Sequence, residues 1–130
     1  MDDEALIDRA REAVEAAYAP YSEYRVGAAV LTADGTVFTG CNVEFANFTN
    51  TFHAEEVAIG TAIRAGHREF DAVAVSSERR DGVTPCGMCR QTLAEFCDAD
   101  FRVFCDEGDG IAEYRLGELL PEAISAETIE

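Results

Sequence analysis

Lysine is absent from the 130 residues of this chain, so all 10 basic side chains are arginines. They face 26 aspartates and glutamates, which gives a formal net charge of -16 at pH 7. A field of this sign repels phosphate backbones and anionic membranes, so a nucleic-acid polymer is a poor substrate and a small neutral ligand fits better. At molar salt the Debye length falls to about 3 Å, so repulsion between the acidic side chains is screened and a charge of this size is tolerated. We therefore also expect a halophilic source, with an ordinary acidic surface as the alternative.

Long apolar runs are missing as well, and none approaches the roughly 20 residues that a membrane-spanning helix needs. Three acidic residues follow Met1, where a signal peptide would carry positive charge. The five cysteines are odd in number and mostly scattered, which is not typical of a disulfide framework. We therefore expect a cytoplasmic protein without a membrane partner, folded as a single domain over residues 1–130 with loose final residues.

Hydrophobic periodicity predicts an α/β fold. The predicted elements are a helix over 4–19, strands over 25–31 and 37–40, a helix over 53–65, a strand over 71–76, a helix over 87–97, and strands over 101–105 and 111–116. A hairpin followed by alternating strands and helices indicates a three-layer α/β/α sandwich with a mixed five-stranded sheet. The polar, irregular stretch 41–51 between the hairpin and the second helix is a candidate site element.

Cys86 and Cys89 stand three positions apart at the start of a predicted helix, so both thiols can point the same way and share one metal ion. A helix N-terminus favours the thiolate, which is the form that binds zinc. A single C-x-x-C pair is nevertheless ambiguous, because redox chemistry, half of a structural zinc site and chance all compete with catalysis.

The chain has only two histidines, and one of them favours a catalytic metal site over the other roles of the cysteine pair. We interpret His67, which follows a predicted helix end, as a solvated surface residue. His53 begins a helix and would complete a set of three ligands with the two cysteines, which leaves a fourth tetrahedral position open for water, as in a catalytic zinc site. A capping or surface role for His53 is the alternative.

Glu55 lies two residues beyond His53, so its carboxylate can reach the open position without binding the metal. The combination of H-x-E with P-C-x-x-C is the known signature of zinc deaminases. The pattern therefore predicts one Zn2+ per chain and a proton-transferring Glu55. Two thiolates and a neutral imidazole balance the charge of the ion, so we expect the neighbouring Glu56 to be an exposed spectator.

Five stretches in order resemble the short, usually homotetrameric cytidine deaminases over nearly the whole chain. They are YSEYRVGAA at 21–29, GCNVE at 40–44, TFHAE at 51–55, PCGMCRQ at 85–91 and ELLP at 118–121. The resemblance implies hydrolytic deamination of cytidine and deoxycytidine to uridine, deoxyuridine and ammonia in pyrimidine salvage, by a homotetramer. It also implies that Glu55 relays the proton to ring nitrogen N3.

The resemblance further implies the substrate contacts. Asn42 and Glu44 match the pair that holds the ribose 3'-hydroxyl, and Ala54 belongs to the substrate-binding set. Tyr24 stands where the family usually has a Phe that stacks on the nucleoside. Phe48 and Ile124 depart from a Tyr and a Phe that commonly line the pocket from neighbouring subunits.

Other readings stay open at this point. A blasticidin-S-type nucleoside deaminase shares the fold and the metal motif. Base deaminases that act on nucleotides or on tRNA are further alternatives, and the acidity of the chain disfavours both of these. From a different class, a structural zinc or iron-sulfur module would catalyse nothing.

Overall fold

The computed structural model describes residues 1–79 and 82–126. The helices are α1 (Asp3–Val14), α2 (Ala54–Arg64), α3 (Gly87–Phe96) and α4 (Leu116–Leu119), and the strands are β1 (Val26–Thr32), β2 (Val37–Cys41), β3 (Phe70–Ser77), β4 (Arg102–Asp106) and β5 (Ile111–Arg115). This order confirms the predicted succession of helices and strands. The expectation of loose final residues concerns positions 127–130, which lie outside the described residues.

The five strands form one mixed sheet in the order β2-β1-β3-β4-β5. Strand β1 is antiparallel to both β2 and β3, β4 is antiparallel to β5, and only β3 and β4 are parallel. Helix α3 lies in the connection between the two parallel strands, as such a crossover requires. The predicted α/β class with a mixed five-stranded sheet is confirmed.

Helices cover both faces of this sheet. Side chains of β1 alternate between the faces: Ala28 and Val30 join the core that includes α2 and α3, whereas Ala29 and Leu31 join the core that includes α1. Gly40 in β2 explains how closely α2 lies on the sheet, because a Cβ there would overlap the backbone at both Ala54 and Ala58. This close packing fixes the N-terminal end of α2 against β2.

Helix α1 is shorter than predicted: it ends at Val14, whereas the sequence predicted a helix to residue 19. The backbone of Tyr18 pairs instead with the chain after β2: its N–H donates to the Asn42 carbonyl at 3.0 Å, and its carbonyl accepts from the Glu44 N–H at 2.8 Å. These bonds satisfy backbone groups that a longer helix would have used internally. They also join the segment before β1 to the polar stretch that the sequence singled out.

None of the helices described in 1–79 and 82–126 combines the length and the apolar character needed to cross a bilayer.

Candidate active site

Two helix N-termini bring the three predicted metal ligands together. His53 is the N-cap of α2, Cys86 is the N-cap of α3, and Cys89 lies one turn into α3. The His53 Nδ1 and Cys86 Sγ atoms are 3.1 Å apart, and the ligand atoms of all three residues lie within 4.8 Å of one another. With bonds of about 2.0–2.3 Å, ligand atoms of a tetrahedral zinc ion lie roughly 3.5–3.8 Å apart, so the donor set and its spacing fit zinc.

The two thiols differ in exposure: Cys86 is exposed, whereas Cys89 is fully buried. Burial raises the pKa of Cys89, and the negative charges of Glu55 and Cys86 raise it further. The expected preference of a helix N-terminus for the thiolate is therefore outweighed at Cys89. A cation held between the ligands would supply the missing stabilisation, because metal binding and thiol deprotonation are coupled.

Glu55 lies in the first turn of α2 and is only 5% exposed. Burial raises the pKa of its carboxyl to about 7, although hydrogen bonds from its own backbone N–H and from Cys89 lower it. A carboxyl group that titrates near neutrality can both accept and release a proton under physiological conditions. The role of Glu55 as the proton carrier stays a prediction.

Glu56 is not the exposed spectator that the sequence suggested. It is half-buried, and its Oε1 accepts a hydrogen bond from the His53 backbone N–H at 2.8 Å. This is the N3-to-N-cap bond of a capping box, so Glu56 fixes the backbone from which His53 extends. The spacing of a polar N-cap residue and a Glu three positions later was the sequence signal that could have found it.

A pocket of about 310 Å³ opens beside the ligand cluster. Its lining includes two of the three predicted ligands and most of the predicted substrate contacts, and consists of Ser22, Tyr24, Val26, Asn42, Glu44, Thr51, His53, Glu55, Val83, Thr84 and Cys86. Cys89 lies behind this surface. Ala54 is buried in the core and is not part of the lining, so a contact between its side chain and a ligand in the pocket is not seen and its role stays a prediction.

Asn42 and Glu44 connect the pocket to the segment before β1. The Asn42 side-chain amide accepts from the Val26 N–H and donates to the Tyr24 carbonyl, both at 2.9 Å. Glu44 accepts from the backbone N–H groups of Tyr21 and Ser22 at 3.0 Å and from the Ser22 hydroxyl. Burial raises the pKa of Glu44, but these hydrogen bonds outweigh it and hold the pKa below its usual value.

Several lining residues were missed by the sequence reasoning, among them Ser22, Thr51 and Thr84. The hydroxyl of Thr51 is buried and has no hydrogen-bond partner among the described residues, so it is available to a ligand. Arg90 was missed as a support of the site: it donates to the Pro85 carbonyl at 2.7 Å and to the Leu119 carbonyl at 2.8 Å. It thereby ties the segment that carries Cys86 to helix α4.

His67, which the sequence indicated as a solvated surface residue, is half-buried. Its ring packs on Phe38 with centroids 5.1 Å apart, and its Nδ1 lies 3.8 Å from the Asp34 carboxylate. It does not line the pocket, so its separation from the ligand cluster agrees with the sequence interpretation.

An α/β fold that brings a His/Cys/Cys group beside a buried glutamate defines the class of zinc-deaminase folds. The family model for the cytidine and deoxycytidylate deaminase zinc-binding region matches residues 1–105. Among curated relatives, the cytidine deaminase of Sporosarcina psychrophila is 43% identical over 130 residues, covering 99% of this chain and 96% of that protein. The cytidine deaminase of Halalkalibacterium halodurans is 44% identical over 128 residues, covering 98% and 97%.

Solved structures agree with this result. The crystal structure of cytidine deaminase from Burkholderia pseudomallei matches with a TM-score of 0.89 and 43% identity, over 95% of this chain and 100% of that one. The chain belongs to the cytidine deaminase family and is an enzyme with deaminase activity. This finding argues against the structural zinc module that the sequence had left open.

Proposed function

We propose that this enzyme catalyses the zinc-dependent hydrolytic deamination of cytidine and deoxycytidine to uridine and deoxyuridine, with release of ammonia, and that it serves pyrimidine salvage. One observation carries the proposal: the buried Glu55 shares a pocket with His53 and Cys86 at one side and with Asn42 and Glu44 at another. A proton carrier thus lies in the same cavity as polar groups suited to a ribose. The names of the relatives support the nucleoside as substrate.

His53, Cys86 and Cys89 would hold one zinc ion per chain, with the charge of two thiolates and a neutral imidazole. When bound, zinc lowers the pKa of water to about 7, so that hydroxide is available at neutral pH. The capping contact of Glu56 with the His53 backbone N–H keeps this ligand in place.

Glu55 moves the protons of the reaction. Its carboxylate accepts a proton from water and delivers it to ring nitrogen N3, which makes C4 of the pyrimidine more electrophilic. Oxygen from that water becomes bonded to C4 as a hydroxyl. Glu55 then takes the proton of this hydroxyl and passes it to the amino nitrogen, so that the C4–N bond breaks, ammonia leaves and the C4=O bond of uridine forms. Water and cytidine are consumed, and uridine and ammonia are formed.

The remaining substrate-binding residues orient the nucleoside. Glu44, held ionised by its hydrogen bonds, accepts a hydrogen bond from the ribose 3'-hydroxyl, and Asn42 completes this contact. Tyr24 forms a wall for the pyrimidine ring. Ala54 takes part in substrate binding through its backbone, because its side chain is in the core.

A spectrophotometric assay that follows conversion of cytidine to uridine tests the proposal. Cytidine and deoxycytidine should be turned over, and dCMP and blasticidin S should not. Turnover of dCMP alone, or of blasticidin S alone, would replace the proposed substrate class. The acidic chain, with its formal charge of -16, argues against phosphorylated substrates and nucleic-acid polymers.

Two variants separate the metal from the proton carrier. Glu55→Gln should retain about one zinc per chain and lose activity by a factor of about 10² to 10⁴, because general acid-base catalysis typically contributes that much. Cys86→Ser should lose the metal. Cys97→Ser, which changes a half-buried thiol outside the pocket, is the matched control and should keep both metal and activity. Full activity of Glu55→Gln would reject the mechanism.

We also propose a homotetramer. Four aromatic side chains near the pocket are exposed, and they contact each other in pairs: Tyr21 with Phe48 at 5.6 Å, and Phe45 with Phe52 at 5.4 Å between ring centroids. Contiguous apolar patches on a protein surface mark interaction sites. Light scattering should give four times the chain mass of 14.1 kDa, and a monomer at assay concentration would contradict this assignment.

The proposed location is the cytoplasm, which rests on the use of cysteine for a metal site and not for disulfides. The proposed salt requirement rests on the net charge. The melting temperature should therefore rise between low salt and molar potassium chloride, and a flat profile would reject a halophilic adaptation.

A further inference from the structure

The ring of Tyr24 is covered by an arginine that the family resemblance does not explain. The Arg79 Cζ lies 4.3 Å from the centroid of the Tyr24 ring, well within the range of a cation-π contact. Tyr24 lines the pocket, whereas Arg79 does not. Arg79 therefore contacts the ring without being one of the residues that line the cavity in which the nucleoside is proposed to bind.

The backbones that carry the two side chains are held together. The Arg25 N–H donates to the Glu78 carboxylate at 2.8 Å, and the Glu78 N–H donates to the Arg25 carbonyl at 2.9 Å. On the other side, the Asn42 amide donates to the Tyr24 carbonyl at 2.9 Å. Tyr24 directly precedes Arg25, and Arg79 directly follows Glu78. The two stacked side chains therefore extend from backbone segments that are hydrogen-bonded to each other.

Arginine suits this position for a physical reason. Its planar guanidinium can stack on an aromatic face, which the compact ammonium of lysine cannot do. Cytidine is neutral, so the charge of Arg79 does not by itself attract the substrate. Any effect of Arg79 on nucleoside binding must therefore act through the ring that it covers.

We propose that Arg79 is a positioning residue for the pyrimidine nucleoside, because its stacking holds the Tyr24 ring in place as a wall of the pocket. The inference rests on the proposed role of Tyr24 in substrate binding. A wall that is ordered before binding lowers the cost of binding, since the ligand does not have to immobilise the side chain. An ordered Tyr24 ring stabilises the bound substrate and the bound transition state equally. Loss of Arg79 should therefore raise KM and leave kcat unchanged.

The chain offers a matched control. Arg102 forms a second arginine-aromatic contact, 5.5 Å above the Phe104 ring, on strand β4. Neither residue lines the pocket. Arg102→Ala removes the same type of side chain and the same type of contact from a place that the substrate does not reach.

The experiment compares Arg79→Ala, Arg79→Lys and Arg102→Ala in the zinc-loaded enzyme. Arg79→Ala should raise the KM for cytidine about two- to fivefold at unchanged kcat, the range expected for an exposed cation-π contact. Arg79→Lys should recover part of the loss, because it keeps the charge without the plane. Arg102→Ala should leave KM unchanged. Melting temperatures of the Arg79 variants should fall by no more than a few degrees, so that a rise in KM is not caused by unfolding.

A double-mutant cycle and a binding measurement decide the assignment. In a Tyr24→Ala background, Arg79→Ala should cause no further rise in KM, because its effect passes through the missing ring. Calorimetric Kd values for uridine should follow the same pattern without any turnover. Equal KM and Kd in Arg79→Ala and the parent, or an undiminished effect without the ring, would overturn the inference.

Failure of the inference can be told from failure of the proposed pocket. If Tyr24→Ala weakens nucleoside binding and Arg79→Ala does not, Tyr24 keeps its role and only the inference about Arg79 is wrong. If Tyr24→Ala leaves both KM and Kd unchanged, the ring is no wall of the nucleoside site, and both assignments are wrong.

Discussion

Glu44 and Glu55 line the same pocket and each is 5% exposed, yet their pKa values are shifted in opposite directions. Burial raises the pKa of both carboxyls. Glu44 receives hydrogen bonds from two backbone N–H groups and one hydroxyl, which reverse the effect. At Glu55 the effect of burial exceeds that of its hydrogen bonds, and the pKa is raised to about 7.

The difference shows that the balance between burial and hydrogen-bond donors, and not the exposed fraction alone, sets the direction in which each pKa moves. A carboxylate that stays ionised is a fixed acceptor, suited to holding a hydroxyl group of the ligand. A carboxyl group with a pKa near neutrality can exchange protons with a substrate. One pocket thus combines a binding carboxylate and a proton-transferring one.

Asp106 extends this comparison to a carboxylate outside the pocket. It is fully buried, and Arg11 donates to both of its oxygens, at 2.8 and 2.9 Å, while Ser76 donates at 2.8 Å. The hydrogen bond from Arg11 is the main cause that lowers the pKa of Asp106 from 3.8 to about 2. Loss of Arg11 would leave this buried carboxylate with neutral donors such as the Ser76 hydroxyl and the Gly108 N–H, so its pKa should rise.

The largest effect is therefore expected from Arg11→Ala, which should destabilise the fold by about 3 kcal/mol because it leaves a buried carboxylate without its cation. Arg9→Ala is the matched control on the same helix. Arg9 lies 4.0 Å from an exposed Glu12, so its loss should cost about 0.5 kcal/mol or less. Urea unfolding at pH 7 measures both, and equal midpoints for the two variants would contradict the importance of the buried pair.

The pH dependence of this difference follows from the lowered pKa of Asp106. The pKa of Asp106 is about 2 in the folded protein and 3.8 ordinarily, so its ionised form stabilises the fold at pH values above 3.8. This contribution of about 2 kcal/mol to the free energy of unfolding is lost as the pH falls from about 4 to about 2. The gap between wild type and Arg11→Ala should narrow over that interval. A gap that stays constant down to pH 2 would assign the effect of Arg11 to packing alone.

Glu44→Gln should come next in size, with a rise of about tenfold or more in KM for cytidine, because hydrogen bonds to a charged group contribute about 1.5–3 kcal/mol. The value of kcat should change much less, in contrast to Glu55→Gln. With 3'-deoxycytidine, which lacks the hydroxyl, parent and variant should have similar KM values. An equal penalty on both substrates would mean that Glu44 acts by holding the segment around Tyr21 and Ser22 and not by binding the ribose.

The residues whose roles the sequence predicted have their neighbours a few positions away along the chain, whereas the residues that were missed contact distant parts of the chain. His53 and Glu55 lie within one helical turn and Cys86 and Cys89 within another, so spacing predicted which side chains of each pair lie close together. The two motifs taken together joined the pairs into one site. The fold class also followed from local periodicity and the order of elements. Single-turn geometry is retained in the folded protein, because both helices begin at the predicted residues within one position.

Roles that depend on distant parts of the chain could not be predicted in this way. Arg79 meets Tyr24, and Arg11 meets Asp106, across 55 and 95 positions, and no local pattern marks such pairs. The end of α1 was misplaced for the same reason, since pairing of Tyr18 with the chain after β2 replaces helical bonds there. The resemblance to a family supplied Asn42 and Glu44, but not the donors that set the charge of Glu44.

Glu56 is the residue whose role the sequence could have revealed, and it gives the smallest expected effect. Glu56→Ala removes the acceptor for the His53 N–H and should cost about 1 kcal/mol of stability, as the loss of a helix cap typically does. Glu56→Gln keeps an acceptor oxygen at the same position without the charge and should stay near the parent. Thermal unfolding in the presence of a chelator measures the effect of the cap on stability without zinc. Competition with a zinc indicator then measures whether the affinity for zinc falls as well. A Glu56→Gln variant as unstable as Glu56→Ala would show that the charge beside Glu55, and not the cap, is what the fold requires.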